Sequence, residues 1–75
     1  MSAAPEKRSL TLRGHRTSVT LEPPFWEAFR ALAHRLGLSL NQLAVQIDES
    51  RPPEQGLASA IRVRILAELQ AQLKA

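Results

Sequence analysis

The 75-residue chain contains no cysteine. That excludes disulfides, thiolate metal sites and a cysteine nucleophile, and it fits a reducing, cytoplasmic setting. Histidine is scarce too: His15 and His34 lie far apart with no acidic residue at a ligand-like spacing, so no metal is expected to staple the fold. No apolar run approaches the roughly 18 residues of a membrane span. The start, MSAAPEKRS, lacks the apolar stretch of a signal peptide. The sequence also lacks internal repeats, low-complexity tracts and a phosphate-cradling glycine loop. No serine, histidine and acid form a recognisable catalytic grouping. Asp48 and Glu49 adjoin at an expected helix end and do not converge as a pair. No enzymatic activity and no cofactor are expected.

Acid is missing from one stretch. Residues 7–21 hold Lys7, Arg8, Arg13 and Arg16 without a single carboxylate, in a chain whose net charge is +3. The same stretch carries Ser9, Thr11, Thr17, Ser18 and Thr20, hydroxyls set beside cations, which makes nucleic acid a serious candidate partner. A second basic pair, Arg62 and Arg64, is expected on the wet edge of a helix.

What is present is ordered by its periodicity. Residues 1–6 read as a disordered tail and residues 7–75 as one domain. A domain of this size buries only about 60% of the surface its unfolded form exposes, and with disulfides and metals set aside, association with a second copy is the remaining staple. Arg16 to Leu21 alternates polar and apolar, the signature of a strand with one dry face. Leu10 and Leu12 fall on even positions whereas Val19 and Leu21 fall on odd ones, so a register change must separate them. A type II′ turn at Gly14-His15 supplies it, pairing Arg13 with Arg16, Leu12 with Thr17, Thr11 with Ser18 and Leu10 with Val19. Leu10, Leu12, Thr17, Val19 and Leu21 then share one face. Lys7, Ser9, Thr11, Arg13, Arg16, Ser18 and Thr20 share the other. The competing picture for residues 8–21 is a loose basic arm followed by one strand.

Glu22-Pro23-Pro24 breaks the alternation, and a helix is expected over 24–36. Phe25, Phe29, Leu32 and Leu36 form its stripe, widened by Trp26 and Ala33, and Gly37 stands at C′. SLNQ reads as a capping box, with Ser39 at N-cap, Gln42 at N3 and Leu38 with Leu43 as the staple. A helix over 40–49 buries Leu40, Leu43, Ala44 and Ile47. SRPPEQG breaks the chain again. A third helix over 57–73 shows Leu57, Ile61, Ile65 and Leu69, broadened by Ala58, Leu66 and Leu73.

The spacing of RTSVTLE, the FW pair, GLSLNQL and the later LASAIRV resembles the ribbon-helix-helix (Arc/MetJ-like) DNA-binding proteins across residues 14–69. More narrowly, the chain is similar to small bacterial members with an additional C-terminal helix. The resemblance implies a mainly α fold with a short β-ribbon, in which two chains intertwine and their strands pair antiparallel across a two-fold axis. It implies that the ribbon enters the major groove of duplex DNA, with Arg16, Ser18 and Thr20 facing base edges. Phosphate contacts are implied for the amides of Leu40 and Asn41, the Ser39 hydroxyl and Arg13. Val19, Leu21, Phe25, Trp26, Phe29, Leu32, Leu43 and Ile47 are expected in the core or dimer interface. The implied function is a homodimeric transcriptional regulator. The alternative is a dimer used as a protein-interaction module or antitoxin-like adaptor, with the third helix as its partner surface. A hairpin would depart from the shortest members: four strands span about 14 Å, against a groove about 12 Å wide.

Overall fold

The computed structural model describes residues 4–74 as two strands and three helices. These are β1 (Glu6–Leu12), β2 (His15–Leu21), α1 (Pro23–Leu36), α2 (Leu40–Ser50) and α3 (Leu57–Lys74). The first three residues of the expected tail lie outside the described residues, and Glu6, placed in that tail by the sequence, is the first residue of β1.

The basic segment forms a hairpin and not a loose arm. Its register pairs Leu12 with His15, Leu10 with Thr17, Arg8 with Val19 and Glu6 with Leu21. The turn is therefore Arg13-Gly14, not Gly14-His15. Both central residues sit at positive φ, 52° and 82°, the pattern of a type I′ turn, whose twist matches that of the strands it joins. This moves the pairing by two residues from the expected register. Two is the side-chain period, so every strand residue keeps its face. Leu10, Val19 and Leu21 are buried on the inner face with Leu12 and Thr17 half-buried. Lys7, Ser9, Thr11, Arg16, Ser18 and Thr20 are all exposed on the outer one. Arg13 leaves that face for the turn. The ladder partner of β2 is thus β1 of the same chain, where the family resemblance implied a strand from a second copy.

Local chemistry fixes the helices. The Glu22 carbonyl accepts the Phe25 and Trp26 amides at 2.8 and 3.1 Å, and prolines occupy the first turn of α1, where a missing N–H has no helical acceptor to lose. Gly37, at φ 71°, ends the helix in the left-handed conformation, and the Leu38 amide reaches back to the Ala33 carbonyl at 2.9 Å as in a Schellman cap. α2 opens on the capping box: Gln42 N–H donates to Ser39 Oγ at 3.0 Å, and Ser39 N–H donates to Gln42 Oε1 at 2.8 Å.

The inner sheet face, α1 and α2 converge on Trp26, Phe29, Leu21 and Leu43, all fully buried. α3 completes this core by inserting Ala60, Ile61 and Ile65. Its second half does not follow. Leu69, expected in the apolar stripe, is 50% exposed, Leu66 and Leu73, expected to broaden it, are 54% and 86% exposed, and Leu36 of α1 is 39% exposed. The Trp26 indole N–H donates to the Glu6 carbonyl at 2.9 Å, and the Arg8 guanidinium lies 5.0 Å from its ring centroid, so the buried ring holds the start of β1 against the core. Among the described residues no buried side-chain donor or acceptor lacks a partner.

Candidate nucleic-acid interface

The outer hairpin face presents two cations, Lys7 and Arg16, and four hydroxyls, Ser9, Thr11, Ser18 and Thr20. Most other cations of the fold are neutralised. Arg8 pairs with Glu6, Arg51 with Asp48, and Arg64 and Arg35 share Glu68. Lys7 and Arg16 have no carboxylate partner among the described residues. An exposed cation without a counter-charge is free to meet a phosphate or a base edge.

The tight turn makes Leu12–His15 a hydrogen-bonded pair, and hydrogen-bonded and open pairs alternate from there. The main-chain groups of Lys7, Ser9 and Thr11 on β1, and of Arg16, Ser18 and Thr20 on β2, therefore point away from the ladder. Two of these are occupied. Thr11 N–H donates to Asn41 Oδ1 at 3.1 Å, and the Thr20 carbonyl accepts from Arg62 at 3.4 Å. Because Thr11 stands opposite Arg16 in the ladder and its N–H points outward, the first bond sets the first turn of α2 against the outer edge of β1, one strand away from Arg16. The bond joins the first turn of α2 to the hairpin that carries Arg16, Ser18 and Thr20.

In that first turn the capping box occupies the amides of Ser39 and Gln42, and Leu43 N–H bonds the Ser39 carbonyl. The amides of Leu40 and Asn41 are left as open donors, as the first turn of any helix requires. The Ser39 hydroxyl, which accepts from Gln42, still has its own proton to donate. Arg13 is not part of this grouping. The turn carries it towards the other end of α2, where it pairs with Glu49, so any phosphate contact from Arg13 has to compete with that carboxylate. The expected core residues Val19, Leu21, Trp26, Phe29, Leu32, Leu43 and Ile47 are buried within one chain, and Phe25 is half-buried.

Arg62 is not the solvated edge that the sequence suggests. It donates to Glu22 Oε1 from Nε at 3.1 Å and from a terminal nitrogen at 2.8 Å, and its guanidinium lies 5.5 Å from the Phe25 ring centroid. The hydrogen bond from Arg62 holds the Glu22 carboxyl below its ordinary pKa. Glu68 is lowered in the same sense, chiefly by Arg64 and then by Arg35. No sequence signal marks the link of Arg62 to Glu22, which depends on how α3 docks. Among the described residues no group of three or more potential ligands could hold a metal ion, and no helix is long and apolar enough to cross a membrane.

A β-ribbon with a polar outer face, followed by two helices of which the second opens on a capped N-terminus, defines the ribbon-helix-helix architecture, here extended by α3. A family model described as "Ribbon-helix-helix domain" matches residues 5–69, and the chain belongs to that family. Its members are generally DNA-binding transcription regulators or antitoxins, typically dimeric and non-enzymatic. No curated protein and no solved structure matches the chain.

Proposed function

We propose that the protein is a sequence-specific DNA-binding regulator, acting as a homodimer joined along β2. The observation that carries this reading is the Thr11–Asn41 hydrogen bond. It supports a single surface on which Arg16, Ser18 and Thr20 read base edges while the Leu40 and Asn41 amides and the Ser39 hydroxyl hold a phosphate. Arginine suits guanine, whose O6 and N7 match its fork; the hydroxyls discriminate less. The phosphate contact fixes register without reading sequence.

The free edges favour β2 as the joint. The outward N–H of Thr11 on β1 is already used by Asn41, whereas on β2 every outward N–H is open and the one engaged group, the Thr20 carbonyl bonded by Arg62, keeps a second lone pair for a partner strand. A two-fold axis at Ser18 sets Ser18 opposite its copy and Arg16 of each chain opposite Thr20 of the other. The dimer then has a four-stranded sheet, with β2 of both chains at its centre and Lys7, Ser9 and Thr11 on the flanks, level with the phosphate-lined walls of the groove. The width of that sheet, about 14 Å against a groove of about 12 Å, favours a second reading, in which the face binds a protein.

Selection from a random duplex library at fixed salt, run in parallel on wild type and Arg16→Ala, separates the two. For a DNA reader the wild type enriches a motif, and Arg16→Ala relaxes one position of it at a cost of about 1–3 kcal/mol. A folded protein that enriches no motif overturns the DNA reading in favour of the protein-binding one.

A further inference from the structure

One side of α3 faces α2, where Ala60, Val63, Arg64 and Ala67 lie along Ile47 and Ser50. On the side turned away from α2, Arg62, Leu66, Leu69 and Leu73 succeed one another at the i, i+4, i+7, i+11 spacing of a helical stripe. Arg62 heads the stripe and bonds the Thr20 carbonyl, a main-chain group on the edge of β2 that faces away from β1. The three leucines that follow are half or more exposed. Leu69 also lines an open groove of about 240 Å³ between α1 and α3, floored by Ala28, Leu32 and Ile65. Strand edge, Arg62 and leucine stripe therefore form one continuous surface.

We propose that a second copy of this chain covers that surface, so that the α3 leucines of each protomer pack against α3 and the α1–α3 groove of the other while the β2 edges pair. The inference rests on the homodimer reading above and adds the helical half of the interface. Continuity through Arg62 is the first argument, since a copy docked on the β2 edge extends over the stripe beside it. Area is the second. An edge from Arg16 to Thr20 is about 17 Å long and one strand thick, far short of the roughly 800 Å² per partner of a stable interface. Charge is the third. The groove is bordered by Arg35 and Glu68, the latter also bonded to Arg64, so two identical surfaces meet without uncompensated like charges. A two-fold axis makes such a surface self-complementary.

Sedimentation equilibrium on the full chain tests the proposal with three variants. Leu66→Gln/Leu69→Gln/Leu73→Gln alters only exposed side chains. It should keep the helical circular dichroism and weaken the dimer by about 100-fold or more. Val63→Gln, exposed on the α2 side of the same helix, should leave the dimer unchanged. Ser18→Pro deletes an outward N–H without touching the β1–β2 ladder and should also weaken the dimer. If the wild type is dimeric and only Ser18→Pro weakens it, the helical interface is overturned while the β2 joint stands. If the leucine variant weakens the dimer and Ser18→Pro does not, the helical interface stands and the β2 joint falls. A wild type that stays monomeric at every accessible concentration overturns both. Should the triple variant lose helicity, Leu73→Gln alone, at the most exposed leucine, serves in its place, with a weakening of roughly 5- to 10-fold expected.

Discussion

Thr11 donates its main-chain N–H to Asn41 Oδ1 across 3.1 Å, a bond between residues 30 positions apart. It closes the outer edge of β1 near the turn and presses the first turn of α2 against the hairpin. Asn41→Ala should therefore abolish the hydrogen-exchange protection of the Thr11 amide and lower stability by about 0.5–1.5 kcal/mol. An opened β1 edge should also promote association beyond a dimer at high concentration, because it regains an outward donor. Asn41→Asp keeps an acceptor and should restore the protection. Rapid exchange at Thr11 in the wild type would show that the bond does not persist in solution.

Arg13 occupies a left-handed conformation in the type I′ turn, at φ 52°, and Asn-Gly is the pair that this turn favours most. Arg13→Asn should raise stability by about 0.5–1 kcal/mol in chemical denaturation, since an exposed pair such as Arg13–Glu49 contributes little. On DNA the same change reports whether Arg13 leaves Glu49 for a phosphate. In that case affinity falls evenly across sequences, and the salt dependence of binding drops by about one unit of slope. An unchanged slope assigns Arg13 to the turn alone.

The Glu22 carboxyl, bonded by Arg62, titrates below its reference value of 4.5. As pH falls, the unfolded chain takes up the proton first. The stabilisation from this pair is thus complete above the unfolded value and is lost as pH drops through the lower folded one. Glu68, held by Arg64 and Arg35, contributes with the same sign. Glu22→Gln should lower the melting temperature near neutral pH and flatten its decline below about pH 4.5. Parallel melting curves for wild type and variant through the acid range would discount the pair.

The helix ends were legible in the sequence because their chemistry is local. Ser39 and Gln42 cap α2 from three residues apart, and Gly37 supplies the left-handed end of α1. The two strand faces were legible because alternation has a period of two. That same period hid the turn, since Arg13-Gly14 and Gly14-His15 give the same faces, and the parity of Leu10, Leu12, Val19 and Leu21 cannot tell them apart. Positive φ at two successive residues decides it. Parity also placed Arg16, Ser18 and Thr20 correctly on the outer face, but it could not show that Arg13 turns away to Glu49. The bonds from Arg62 to Glu22 and from Thr11 to Asn41 arise only when α3 and α2 dock. The apolar run of α3 reads as one stripe, and within one chain only its first half, at Ala60, Ile61 and Ile65, is buried. Its 18 residues extend about 27 Å, whereas the 14 of α1 extend about 21 Å, and among the described residues Leu66, Leu69 and Leu73 in the last turns stay half or more exposed.

By closing the core with Ala60, Ile61 and Ile65, α3 lets one chain bury its own apolar centre. For a protomer that folds on that core alone, folding is a first-order event and pairing a second-order one. For a chain that dimerises as proposed, the population of DNA-competent dimers below the dissociation constant grows with the square of the protomer concentration. A halving of supply then removes about three-quarters of the dimer while each remaining protomer stays folded. Such a protein responds to its own abundance like a threshold element, without needing a small-molecule signal.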